Sequence, residues 1–365
     1  MRARSIARWA CCLYLALSSC DGRAPDASDG PGDGPTGANP PDGSAPSDSA
    51  PPAGDGGVPQ NGCAAEATRT VDVADAAALS SALADARPGD RIRLADGAYA
   101  GNFVAETSGT AASPILLCGS RQAVLQGASL SSGYGLELRA SYWVVAGLRV
   151  TGSQKGIVVQ GGSHNLLTDL EVDHVGQEGI HFRKASSDNV LTASSVHDTG
   201  TGPGSKDKGF GEGVYLGSAV SNWDTYGVNG GPDLSDRNQV IDNTLGPNAG
   251  AECIDIKEGT TGGVIRGNTF DGAGMSGDNF ADSWVDVKGN GYLLEGNRGS
   301  HALLDGFQTH VQVADWGNDN RFAGNVMSDV PGVGINVAKA STGTIVACDN
   351  TVDAGGTAPA NVPCQ

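Results

Sequence analysis

Four of seven consecutive residues, Glu252, Asp255, Lys257 and Glu258, are charged, and Cys253, Ile254 and Ile256 lie between them. Asp286 and Lys288 repeat the Asp-x-Lys spacing later in the chain. Hard divalent cations take several carboxylate oxygens. A lysine relieved of its proton is a base. Together they suit the removal of a weakly acidic proton beside a carboxylate, with a cation offsetting the charge that develops. The same residues can also form a surface lattice of ion pairs, which is common and weakly informative.

The chemistry depends on which side chains share a face. In a strand they alternate. If Ile254 and Ile256 point inward, Asp255 and Lys257 point outward. The same inward pair recurs as Ile180/Phe182, Val214/Leu216, Val285/Val287 and Phe307/Thr309. Three outward columns follow. One reads His181, Tyr215, Asp255, Asp286, Gln308, and the next Arg183, Gly217, Lys257, Lys288, His310. A third, where each strand begins, reads Glu178, Glu212, Glu252, Ser283, Asp305. Like charges opposite one another on neighbouring strands are destabilising. The columns therefore predict a neutralising partner, and calcium is the simple candidate, held by Glu212, Glu252, Asp255 and Asp286. Lys257 is the candidate base, with Lys288 and His310 beside it. Arg183, His181, Tyr215, Trp284 and Gln308 are candidates for substrate binding, with Tyr215 and Trp284 facing out to stack on sugar rings.

The segments that carry these columns repeat. Each has an alternating strand, a turn of small residues and a second short apolar strand ending near Asn. Asn243, Asn268, Asn297, Asn325 and Asn350 recur at intervals of 25 to 29 residues. Such a period with short strands and almost no helix signals an all-β, right-handed, single-stranded parallel β-helix of about ten coils. A propeller needs four antiparallel strands per repeat and a longer period. One helix is predicted, Asp75–Ala86, as a cap. The longer intervals 198–212 and 218–238 read as insertions walling a binding face.

Residues 1–20 read as a signal peptide. Arg2, Arg4 and Arg8 precede a short apolar stretch, and Leu17-Ser18-Ser19-Cys20 resembles a lipobox, in which Cys20 is lipidated. Residues 21–62, rich in Asp, Gly, Pro and Ser, read as a disordered tether. Residues 63–365 form the β-helix domain. This places the protein in a bacterial cell envelope, on the outer surface or in the periplasm, held to the membrane only by lipid, or released. In an exported chain cysteines pair. By position, Cys63 with Cys118 and Cys348 with Cys364 would each staple an end, leaving Cys253 as the odd thiol.

The formal charge is -18, from 41 Asp and Glu against 23 Lys and Arg. No basic cluster suits nucleic acid. An acidic polysaccharide would need a cation or a local basic patch. The expected state is a monomer.

PGDRIRLADGAYAGNFV (88–104), GTAASPILLCGS (109–120) and YWVVAGLRVTG (142–152) resemble the first coils of the polysaccharide lyases that include chondroitinase B and the alginate lyases. AECIDIKEGTTGGVIRGN (251–268) resembles the catalytic coil of that family. The resemblance implies calcium-assisted β-elimination of a uronic-acid glycan, with Glu252 a calcium ligand and Lys257 the base. The chain differs in placing Asp255 in the strand and in lacking an arginine where the family's acid is expected. Two other classes fit the residues: a glycoside hydrolase using Asp255 and Asp286, and a non-catalytic glycan-binding surface protein.

Overall fold

The computed structural model describes residues 62–353 and 358–365. The expected leader, the lipidation site Cys20 and the tether up to residue 61 lie outside the described residues.

The chain winds into a right-handed parallel β-helix of three sheets, with eleven, nine and ten strands. Every pairing between named strands is parallel, and each strand bonds to its counterpart one coil away, for example Val214↔Ile254↔Val285. This gives eleven coils, one more than the repeat suggested. Inward residues form ladders from end to end: Leu136, Ile157, Ile180, Val214, Ile254, Val285, Phe307 and Ile335 stack in order along the nine-stranded sheet and are buried.

The asparagine period has a physical origin. Asn268 Oδ1 accepts from the backbone N and Nδ2 of Asn243, and Asn268 Nδ2 donates to Asn297 Oδ1 and Val240 O. The pattern continues through Asn325 to Asn350. Each side chain satisfies turn groups that would otherwise be buried without partners. A second ladder joins Asn165, Asn189 and Asn238.

The helix runs Ala76–Ala84, with Asp75 accepting from Ala78 N at 2.8 Å as its N-cap. Leu79 and Leu83 are buried against the first coils. Both expected disulfides, Cys63–Cys118 and Cys348–Cys364, are present, and Cys253 is free and buried. No helix among the described residues is long and apolar enough to cross a membrane.

Candidate active site

The nine-stranded sheet presents the predicted columns in register: His181↔Tyr215, Tyr215↔Asp255, Asp255↔Asp286 and Asp286↔Gln308. Its outer face forms the floor of a groove with two continuous parts. One, about 340 Å³, is lined by Glu252, Asp255, Asp286, Lys288 and His310 among others. The other, about 560 Å³, reaches past Tyr215 to His181, Arg183 and Tyr134. Gly209, Glu212, Lys257 and Asn279 border both. The expected insertions do form walls, through Phe210 and Tyr226. A further wall at Asn279 and Phe280 was not legible in the sequence, because it lies in a short turn with no composition of its own.

The acid and base columns pair diagonally. Lys288 Nζ donates to Asp255 Oδ1 at 2.7 Å and to Asp286 Oδ2 at 2.8 Å. Lys257 Nζ pairs with Asp255 Oδ2. Asp286 Oδ1 accepts from Ser283 Oγ at 2.8 Å, and His310 Nε2 lies 3.2 Å from the same oxygen. Burial works to lower the Lys288 pKa, but Asp255 and Asp286 reverse this and raise it. Burial also works against ionisation of Asp286, yet Lys288 and His310 hold its carboxyl far below the usual range. The aspartates are thus neutralised by lysines of their own coil and, through Lys288 and Asp255, of the adjacent one, which is why the like-charged columns are tolerated.

Two glutamates are left over. Glu178 takes Lys155 Nζ at 2.6 Å. Glu212 accepts only the backbone N of Gly211, at 3.1 Å, and no hydrogen bond reaches the Glu252 carboxylate among the described residues. Burial, reinforced by Glu178 and Asp255, pushes Glu212 up to about 7. Burial, Asp255 and Asp286 push Glu252 well above the carboxylate range. Oxygens of Glu212, Glu252 and Asp255 lie within 4.8 Å of one another, and all three residues are buried. Three hard oxygen donors, two of them without a cationic partner, fit an oxygen-preferring metal ion. Asp286 stands outside this trio, its oxygens engaged by Ser283 and Lys288.

Lys257 faces the groove beside Tyr215, with Nζ 4.9 Å from the ring centroid. Burial works to lower its pKa, but Asp255, Glu212 and Glu252 outweigh it and hold the amine protonated. Burial, with Asp255 and Glu212, also pushes the Tyr215 phenol well above its usual range. The phenol is therefore neutral and carries its proton. His181 is neutral for the opposite reason: burial and Lys155 press its pKa down to about 3. Its Nε2 bonds to Gly217 O at 2.8 Å, and its ring meets Tyr215 edge-on at 4.6 Å.

Two expected substrate contacts are placed elsewhere. Trp284 does not face out. It is fully buried, stacked with Phe270 at 6.4 Å and donating from Nε1 to Ser300 O. It precedes the strand Val285–Val287, so alternation does not govern it. Gly299 and Gly306 leave the space its ring fills: a Cβ at either would come within 2.4 and 2.7 Å of it. Gln308 occupies its column, but its amide donates to Asp282 and Asp305, and it does not line the groove. Arg183 does line the groove, with Tyr134 and Tyr226, two rings the sequence reading did not assign.

The chain can be compared with known proteins on this basis. The family model described as Pel9A-like, right handed beta helix region, matches residues 60–275. The crystal structure of an alginate lyase from Paenibacillus sp. str. FPU-7 is 39% identical, with a TM-score of 0.76, covering 81% of this chain and 100% of that one. Pectate lyase Pel9A is 16% identical, with a TM-score of 0.52 over 81% of this chain and 79% of that one. A mannuronic acid specific family 6 lyase from human gut microbiota is 16% identical, with a TM-score of 0.51, over 77% and 65%. The last two speak to the fold alone. No curated protein matches the chain. With the repeat, the three parallel sheets and a family match over more than half its length, the chain belongs to the Pel9A-like right-handed β-helix family.

Proposed function

We propose that this protein is a polysaccharide lyase that cleaves a uronic-acid polymer by β-elimination, with alginate the first substrate to test. The carrying observation is the meeting of Lys257, the proton-bearing Tyr215 and the Glu212–Glu252–Asp255 trio where the two parts of the groove join. The 39% identity to an alginate lyase across its full length supports the same reading.

Deprotonated, Lys257 is placed to take the proton on the carbon beside the uronate carboxylate. The electron pair forms the new carbon–carbon double bond as the glycosidic C–O bond breaks. Tyr215, neutral and facing the same cavity, supplies the proton to the leaving oxygen. Lys288 keeps Asp255 and Asp286 fixed and charge-balanced beneath the sugar. Glu212, Glu252 and Asp255 would hold the metal ion, which we propose to be calcium. When bound, calcium would offset the substrate carboxylate and weaken the field that keeps Lys257 protonated.

A hydrolase built on Asp255 and Asp286 is disfavoured. A general acid needs a raised pKa, whereas Lys288 and His310 hold Asp286 ionised. An unsaturated-uronate absorbance assay on alginate, polygalacturonate and glycosaminoglycans, with and without chelator, tests the proposal. Absorbance should rise on at least one polyuronate and fall with chelator. No rise on any of them would leave a glycan-binding protein as the better description. Export and a lipid anchor at Cys20 belong to the same proposal, and mass spectrometry of the membrane-extracted N-terminus would check them.

A further inference from the structure

Two coils back along the groove from Lys257, the same outward column carries Arg183, with Gly217 between them. Two strand spacings put the two positions about 10 Å apart. Gly217 has φ of +83°, and a side chain there would strike Thr260 at 2.4 Å. No side chain therefore projects from residue 217 between Arg183 and Lys257.

Arg183 is only 4% exposed, yet no carboxylate pairs with it among the described residues. Its neighbours behave differently. Lys155 pairs with Glu178, Lys257 with Asp255, and Lys288 with Asp255 and Asp286. Arg183 instead has neutral partners. Nε donates to Gln160 Oε1 at 2.9 Å, and Nη2 donates to Tyr134 Oη at 3.0 Å. The guanidinium lies over the rings of Tyr134 at 5.4 Å and Tyr226 at 4.2 Å. Among the described residues, two of its five N–H groups are used and Nη1 makes no hydrogen bond. Ring faces attract a cation but do not neutralise it. A buried charge without a counter-ion is costly. Here that charge is held rigidly, orientated by Gln160 and Tyr134, and directed at the wider part of the groove.

We propose that Arg183 is a subsite for the carboxylate of a second uronate unit, distinct from the one that reacts. The proposal rests on the polyuronate reading above. A guanidinium fork matches a carboxylate with two parallel hydrogen bonds. Tyr226 comes from the 218–238 insertion, in the short helix Trp223–Tyr226, and covers the guanidinium from the groove wall. The insertion thereby gives the enzyme a charge requirement away from the bond that breaks, so a glycan with isolated uronates would bind poorly.

The test compares Arg183→Ala, Arg183→Lys and Tyr226→Ala with the wild type on alginate. Calorimetry with alginate oligomers is run in the Lys257→Ala background, where binding is read without turnover. Arg183→Ala should weaken oligomer binding and raise KM by about 10- to 100-fold, with kcat changed far less. Arg183→Lys should lie between, because the ammonium keeps the charge and loses the fork. Tyr226→Ala, in an exposed insertion that does not build the sheets, should weaken binding by roughly 3- to 30-fold. It carries the test if Arg183→Ala does not fold. Oligomers with carboxyl groups reduced to alcohols should bind the wild type weakly, and Arg183→Ala should make them little worse. Cleavage by the wild type with unchanged KM in the folded variants would remove the subsite and leave the lyase. Arg183-dependent binding without cleavage would do the reverse. No binding of any oligomer by the wild type would remove both.

Discussion

Asp255 and Lys288 lie on adjacent coils and are joined at 2.7 Å, while Lys257 holds the other oxygen of the same carboxylate. One aspartate thus anchors two buried ammonium groups. Asp255→Asn should leave both without their shared partner, at a cost of about 3–5 kcal/mol. Urea unfolding would measure this. A loss under 1 kcal/mol would mean that the two lysines find other partners, and that Asp255 is not the hub of the site.

Lys257 is the residue on which turnover should depend. Lys257→Ala should abolish product formation while leaving the fold intact. Lys257→Arg should fail almost as badly, because arginine stays protonated and cannot accept the proton. Lys288→Ala should be milder for binding but should disturb Asp255 and Asp286. Steady-state rates on a substrate that the wild type cleaves decide this, and retained activity in Lys257→Ala would falsify the mechanism.

Cation binding should depend on the two glutamates that have no cationic partner. Calorimetry of chelator-treated protein should show calcium binding, weakened by at least tenfold in Glu252→Gln. The substitution is nearly isosteric and removes one carboxylate of the trio. Equal affinity in Glu252→Gln and wild type would take Glu252 out of any metal site.

Acid stability should be linked to His181. Burial and Lys155 depress its folded pKa to about 3, against about 6.5 when unfolded. Below about pH 6.5 the unfolded chain binds a proton that the folded chain refuses. The contribution is therefore fully present above about pH 6.5 and is lost progressively as pH falls towards about 3, on the order of a few kcal/mol. Melting temperatures of wild type and His181→Gln at pH 7 and pH 4 should converge on acidification. Parallel curves would show that His181 is not the linked group.

The asparagine ladder should matter for stability and not for chemistry. Asn268→Ala removes four hydrogen bonds and leaves the buried backbone N of Asn243 without its side-chain partner, while Asn297 Oδ1 keeps the backbone N of residue 268. A cost of roughly 2–4 kcal/mol is expected, with activity per folded molecule unchanged. A variant as stable as wild type would mean that water or a shifted turn replaces the ladder.

Much of this protein was determined by its sequence through local repetition. Alternation fixed which side chains of each coil face out. The near-constant spacing of the asparagines fixed how the coils stack, because a parallel ladder aligns equivalent residues one strand apart. The columns through Tyr215, Asp255 and Asp286, and the neighbourhood of Glu212 and Glu252, follow from those two facts. Tertiary structure alone decided three things. Trp284 turned inward because Gly299 and Gly306, from later segments of the chain, left a space that no local pattern records. Asn279 and Phe280 became a wall only because their turn meets the 198–212 insertion at Gly209. Lys257 turned onto Asp255 of its own coil and Lys288 turned diagonally onto it from the next, leaving Glu212 and Glu252 without cationic partners and Arg183 without an acid. Alternation gives the direction of a side chain from its own backbone. The charge it meets is set by rotamers and burial across coils, where removing water makes each pairing choice costly to change.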